Sequence, residues 1–178
     1  MLKQHRLLVK TKRAYHRTTD SHHRFYCHPN RIKDGFKPER PEELWVADIT
    51  YLPTCEGNSC VSLITDAYSR KIVGYSVDDN MQISEVKLAF IGALKKRRSK
   101  GSLIHHSDRG SQYCSKEYQD LHVKHNIVCS MTDGYDCYQN ALAKRVNGIL
   151  KMEYLLRKPK DIVQAKKWSL NHQQFIIR

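Results

Sequence analysis

Two aspartates stand where an acidic side chain is costly. Asp48 interrupts the apolar run Leu44–Leu52, between Ala47 and Ile49, and Asp108 follows the short segment Leu103–His106. If the two segments are neighbouring strands, the carboxylates converge at the edge of one sheet. Two like charges held close push one pKa up unless something positive neutralises them. Divalent metal ions are the usual remedy. Mg²⁺ takes one or two carboxylates and keeps waters and substrate phosphates, and paired ions clamp the attacking and leaving oxygens of an in-line phosphoryl displacement. Taken singly, each aspartate reads as a turn cap or a hydrogen-bonded strand acid. Taken together on one sheet edge, they favour metal-assisted phosphoryl chemistry.

The elements that must position this pair are legible in the pattern. Leu44–Leu52, Cys60–Thr65 and Lys71–Val77 are rich in β-branched and aromatic residues and are separated by short turns, which predicts an antiparallel three-strand meander. Val86, Leu88, Ala89, Ile91 and Leu94 give an amphipathic helix over Ser84–Lys96, whose basic end suits the helix dipole. Leu103–His106 reads as a short strand. Ser115, as N-cap, opens a helix to His125; Ile127–Cys129 is a brief strand; helices are expected over about Asn140–Leu156 and Asp161–Phe175. The order β-β-β-α-β-α-β-α plus a helix predicts an α/β fold of the ribonuclease-H-like kind. Its mixed sheet combines the meander with short parallel strands and is flanked by helices.

Charge is unevenly placed along the 178 residues. The net charge of +13 divides into +8 over residues 1–40, −2 over 41–140 and +7 over 141–178. Basic flanks around a slightly acidic middle favour a nucleic-acid partner through counterion release at phosphates, without separating DNA from RNA. The composition is that of a globular domain and excludes wholesale disorder. No apolar stretch is long enough to cross a membrane, and Leu7-Leu8-Val9 is too short for a secretion signal. Six cysteines without a C-x-x-C motif read as free thiols. His22, His23, Cys27 and His28 lack the second ligand pair of a closed zinc site. Pro38 and Pro41 mark a linker, so the expected divisions are a basic arm over 1–40, a core over 41–158 and a final helix over 159–178.

Three motifs carry a resemblance. Trp45-x-x-Asp48-Ile49-Thr50-Tyr51, Thr65-Asp66-Ala67-Tyr68-Ser69-Arg70-Lys71-Ile72-Val73-Gly74 and His105-His106-Ser107-Asp108-Arg109-Gly110-Ser111-Gln112-Tyr113 occur in this order. Together they resemble the integrase core of bacterial insertion-sequence transposases, the second reading-frame product of elements with retroviral-integrase-like catalysis. The similarity runs from about Thr18 to Lys167. It implies two aspartates and one glutamate holding two Mg²⁺ (or Mn²⁺), DNA as partner, a homo-oligomer, a cytoplasmic bacterial protein, and the joining of a transposon 3′ hydroxyl to DNA. Asp48 and Asp108 match the first two acids. The third belongs in a helix reading Asn-Ala-x-Ala-Glu-Arg-x-Asn-Gly-x-Leu-Lys, with 35 residues after the second acid.

Residues 140–151 hold that helix motif and that spacing, but Lys144 stands in the place of the glutamate. An ammonium group has three donors and no acceptor, so it cannot ligate Mg²⁺. Glu153 is nine residues on, half a turn round the helix, and faces away; Asp133 and Asp136 lie in the preceding loop. The expectation is therefore weak or lost metal binding, with the Lys144 ammonium set between Asp48 and Asp108 as a buried or half-buried ion triad. Asn147 and Lys151 follow Lys144 along the helix side that faces DNA in the resembling family, and Arg109 and Gln112 flank Asp108 as possible phosphate contacts. Leu142, Val146, Ile149 and Tyr154 form a separate, core-facing stripe. The chain's start and its last helix are short against the family's pattern, which suggests a cut-down, degenerate copy. Two readings follow: a strand-transferring core impaired at Lys144, or a non-catalytic DNA-binding or subunit-interaction remnant. An RNA-binding protein, suggested by charge alone, is disfavoured by the ordered motifs.

Overall fold

A computed structural model describes residues 23–133, 140–156 and 158–171. Its elements are β1 (Leu44–Thr54), β2 (Gly57–Asp66), β3 (Ile72–Asp78), α1 (Ile83–Lys96), β4 (Ile104–Ser107), α2 (Ser111–Cys114), α3 (Lys116–Lys124), β5 (Val128–Met131), α4 (Ala141–Leu156) and α5 (Ile162–Asn171). They build one five-stranded sheet in the order β3-β2-β1-β4-β5. The meander β1–β3 is antiparallel, and β4 and β5 add in parallel beside β1. This is the mixed, helix-flanked, ribonuclease-H-like sheet expected from the element order.

Side chains alternate across a strand, and β1 shows what that does. Trp45 and Ala47 join the core beneath α1, α2 and α3, with Ile64, Phe90, Tyr113 and Tyr118. Leu44 and Val46 face the other way, where they pack with Ala143 of α4. Leu52 on that same face packs with Val146 and with Ala165 of α5. The alternation therefore places Asp48 on the α4 face.

Two local features fix how tightly the layers meet. Gly74 of β3 lies directly under α1: a Cβ there would collide with the Ala89 carbonyl oxygen and come within 2.8 Å of Ala93 Cβ. Asp66, at the end of β2, is buried and serves the turn. Its Oδ1 accepts from Ser69 N and Ser69 Oγ, both at 2.7 Å, and its Oδ2 accepts from Glu42 N at 2.6 Å.

Several boundaries differ from the sequence expectation. β1 does not stop at Pro53 but continues to Thr54, opposite Gly57 in a tight hairpin. Beyond Val46, β1 has no ladder partner among the described residues on its β4 side, so a proline without an N–H is tolerated there as on an edge. Residues 111–114 form one helical turn that is too short to show a periodicity. β5 is displaced to Val128–Met131. Ser115 caps α3 as expected, its hydroxyl accepting from Tyr118 N at 3.3 Å. The arm over 1–22, residues 134–139 and the expected end of the last helix lie outside the described residues.

Candidate functional site

The last ladder pair between β1 and β4 is Val46 with His106. Two residues further along each strand direction stand Asp48, in the middle of β1, and Asp108, just past the carboxyl end of β4. Both are half-buried. Asp108 Oδ1 accepts from Gly110 N at 3.0 Å, which shapes the turn into α2. Asp48 Oδ2 accepts from the Asn147 side-chain amide at 2.8 Å. Asn140, at the start of α4, donates to the Ala47 carbonyl at 2.8 Å. The two asparagines tie α4 to β1 on either side of Asp48's own peptide.

The electrostatics follow from this crowding. Burial, and then the charge of Asp108, push the Asp48 carboxyl up to about 7; the Lys144 cation, the Ile49 amide and the Asn147 amide pull it back. Tyr113 lies buried within reach of both carboxylates, and burial keeps its phenol protonated far above the ordinary range.

Lys144 does not form the buried triad expected of it. Its side chain is exposed, and among the described residues no ion pair joins it to either aspartate. The helix explains this. Buried Ala143 and Val146 fix the inward face of α4, and Lys144 sits one residue, or 100°, round from Ala143. It acts on Asp48 through space, as a solvated charge at the rim.

The other candidates divide. Asn147 is turned inward and its amide is engaged by Asp48. Gln112 Nε2 donates to the Met81 carbonyl at 3.3 Å, beside Asp108's turn. The Arg109 carbonyl accepts from His23 at 2.8 Å, while the buried Arg109 Nε has no hydrogen-bond partner among the described residues. Lys151 lies on α4, and its side chain falls outside the described residues. Leu142 and Val146 pack into the core as the stripe predicts. Sequence reasoning missed Tyr113, Asn140 and the closeness of Asn147 to Asp48. Both asparagines stood in the helix motif, but only the β1 register reveals what they bond.

The donor chemistry decides what metal this arrangement suits. Two carboxylates on neighbouring strands suit one hard divalent cation that keeps most of its waters. A second ion would need a further anionic ligand, and position 144 presents a cation instead. Among the described residues, no group of three or more His, Cys, Asp or Glu side chains is arranged to hold a metal. The described residues, with a cation at position 144, therefore do not fit a two-ion centre.

The integrase core domain model matches residues 38–137. The uncharacterised 31 kDa protein of insertion element IS600 from Shigella sonnei is 39% identical over 153 residues, covering 86% of this chain and 56% of that protein. The transposase of IS629, also from Shigella sonnei, is 39% identical over 129 residues, covering 72% of this chain and 43% of its own. The chain thus spans about half the length of the curated relatives it matches. Among solved structures, the HTLV-2 integrase catalytic core domain in complex with magnesium superposes with a TM-score of 0.55 at 24% identity, over 67% of this chain and 77% of that one. The Mos1 transposase catalytic domain with raltegravir and Mg gives 0.62 at 11% identity, over 73% and 70%. These likenesses show the shared fold.

Proposed function

The chain belongs to the integrase core domain family of insertion-sequence transposases, and from that premise we propose that it is a DNA-binding transposase core whose strand-transfer chemistry is impaired at Lys144. The reading rests on one observation: a lysine takes the third acidic position, on the helix that packs against the strand carrying Asp48. Left as a pair without a third acid, Asp48 and Asp108 would hold Mg²⁺ or Mn²⁺ only more weakly than millimolar; an ion there would supply charge stabilisation to a phosphodiester oxygen. The protein's own residues do the rest of the work. Asn147 orients the Asp48 carboxylate, the Asp108 turn sets the second carboxylate just past the end of β4, and Arg109, Gln112 and Lys151 contact phosphate. With the third ligand gone and a cation at the rim, the second ion has no carboxylate to bind, and several kcal/mol of transition-state stabilisation go with it.

The partner in this reading is DNA, approached by the basic residues that flank the core, and the working form is a homo-oligomer in the bacterial cytoplasm. A strand-transfer assay on element-end duplexes tests the proposal. In otherwise identical proteins, the one with Lys144 gives no product above background, whereas Lys144→Glu gains product. Product from the unmodified chain at the level of Lys144→Glu would refute the impairment.

A further inference from the structure

The segment before the sheet is laced across the molecule, and one of its laces is made of sulfur. Residues 23–32 run from the Asp108 turn to the start of β5's flank, over α2 and α3. His23 bonds the Arg109 carbonyl, Gln119 Nε2 donates to the Tyr26 carbonyl at 3.2 Å, and Arg31 N donates to Ser130 Oγ at 2.9 Å. Between these ties Cys27 Sγ lies 3.8 Å from Cys114 Sγ, with both thiols free. Cys114 is the last residue of α2, buried, and in turn 3.7 Å from Met131 Sδ. Cys27 is partly exposed. The thiols therefore meet across 87 residues of sequence, one reachable by solutes and one held in place by the core. A cavity of about 390 Å³, lined by Phe25, Tyr26, His28, Cys114 and Cys129 among others, lies on the Cys114 side of the pair.

We propose that Cys27 and Cys114 are a reversible disulfide site that, when oxidised, fastens residues 23–32 to α2, directly behind the Asp108 turn. The oxidant is a peroxide. Cys27 Sγ attacks the O–O bond and takes one oxygen as a sulfenic acid, and the first water leaves. Cys114 Sγ then attacks that sulfur; the S–O bond breaks, the S–S bond forms, and the oxygen departs with the Cys114 proton as the second water. Two thiols lose two hydrogens in all, and one peroxide becomes two waters. The order follows exposure: Cys27 meets solvent, whereas burial pushes the Cys114 thiol well up and keeps it protonated until a sulfenic acid is presented to it. Closing the contact from 3.8 Å to a bond of about 2.05 Å asks the two sulfurs to approach by about 1.8 Å.

The test is oxidation of the full chain with hydrogen peroxide, blocking of residual thiols, tryptic digestion and mass spectrometry. Cleavage at basic residues places Cys27 in 25–31 and Cys114 in 110–116, each as the single cysteine of its peptide, while Cys129 and Cys137 share 125–144, so the proposed pairing has a signature of its own. The proposal predicts the 25–31/110–116 crosslink, 2 Da lighter than the two free peptides and reversed by dithiothreitol. It also predicts a rise of about 8 °C in Tm on oxidation, from a cross-link that closes a long loop. Cys27→Ser, a change at a partly exposed position, abolishes both; Cys129→Ser abolishes neither. Crosslinks confined to other pairs, loss of the crosslink in Cys129→Ser, or a crosslink without a rise in Tm would each overturn the proposal.

Discussion

Asn147 Nδ2 donates a 2.8 Å hydrogen bond to Asp48 Oδ2 across the interface of α4 and β1. It makes the carboxylate's orientation a property of the same helix that carries Lys144, and two opposing influences on Asp48 become separable. Removing either the Asn147 amide or the Lys144 cation takes away something that favours the charged form. Asn147→Ala and Lys144→Met should each move the Asp48 midpoint upward from about 7, by about half a unit to one unit. Lys144→Glu should move it further. Carboxyl ¹³C titration of Asp48 checks the direction and the ranking.

Near neutral pH, stability should depend on pH through two buried histidines and the half-buried Asp48. Burial holds His122 down at about 4 and His105 well below the ordinary 6.5, so both are neutral in the native core. Below pH 6.5 the unfolded chain binds protons that the native one refuses. Stability is then lost as pH falls, by about 1.4 kcal/mol per unit for each histidine until its native pKa is reached. Asp48 runs the other way. Its native pKa near 7 lies above the unfolded 3.8, so stability is lost as pH rises between those values. Two histidines outweigh one acid below 6.5, and Asp48 acts alone from 6.5 to 7. Urea midpoints should therefore peak near pH 6.5 and fall on both sides. Asp48→Asn should remove the decline between pH 6.5 and 7 and leave the acid side steeper.

Gly74→Ala should destabilise the fold by about 1–3 kcal/mol or more, because the Ala89 carbonyl and the Ala93 methyl occupy the space a Cβ would take. Thermal unfolding measures it. A loss under 0.5 kcal/mol would show that α1 can withdraw from β3 at little cost.

Asp66 is an acid of the motifs that does no chemistry in this account. Its carboxylate accepts three hydrogen bonds at the turn after β2. Asp66→Ala should cost about 2–4 kcal/mol, since three donors lose their acceptor, whereas Asp108→Ala should cost less. Paired denaturation curves distinguish the structural acid from the functional one.

Much of the fold was legible because its signals are local. The β-branched runs of β1–β3, the amphipathic α1 and the Ser115 cap each declare themselves within a few residues. The single turn α2 did not, since four residues carry no period. β1 overran Pro53 because a missing N–H matters only where a neighbour would have accepted it. The site was half legible. Asp48 stood out as an acid in an apolar strand, and Lys144 stood out by spacing. Whether the Lys144 ammonium would sit between the aspartates depended on which side of α4 the core claims, and Ala143 and Val146 turned the lysine outward. The buried ring cluster of Phe90, His105, Tyr118 and His122 was not legible at all. It is assembled from α1, β4 and α3, which no sequence window spans.

Metal binding bears on the central claim more directly than turnover does, because it requires no DNA end and no further domain. Isothermal titration with Mn²⁺ at pH 8, above the Asp48 midpoint of about 7 in the unmodified chain, compares the unmodified chain with Lys144→Glu. The account predicts saturable binding in Lys144→Glu and none at millimolar concentrations in the unmodified chain. Millimolar or tighter binding by the unmodified chain would contradict it.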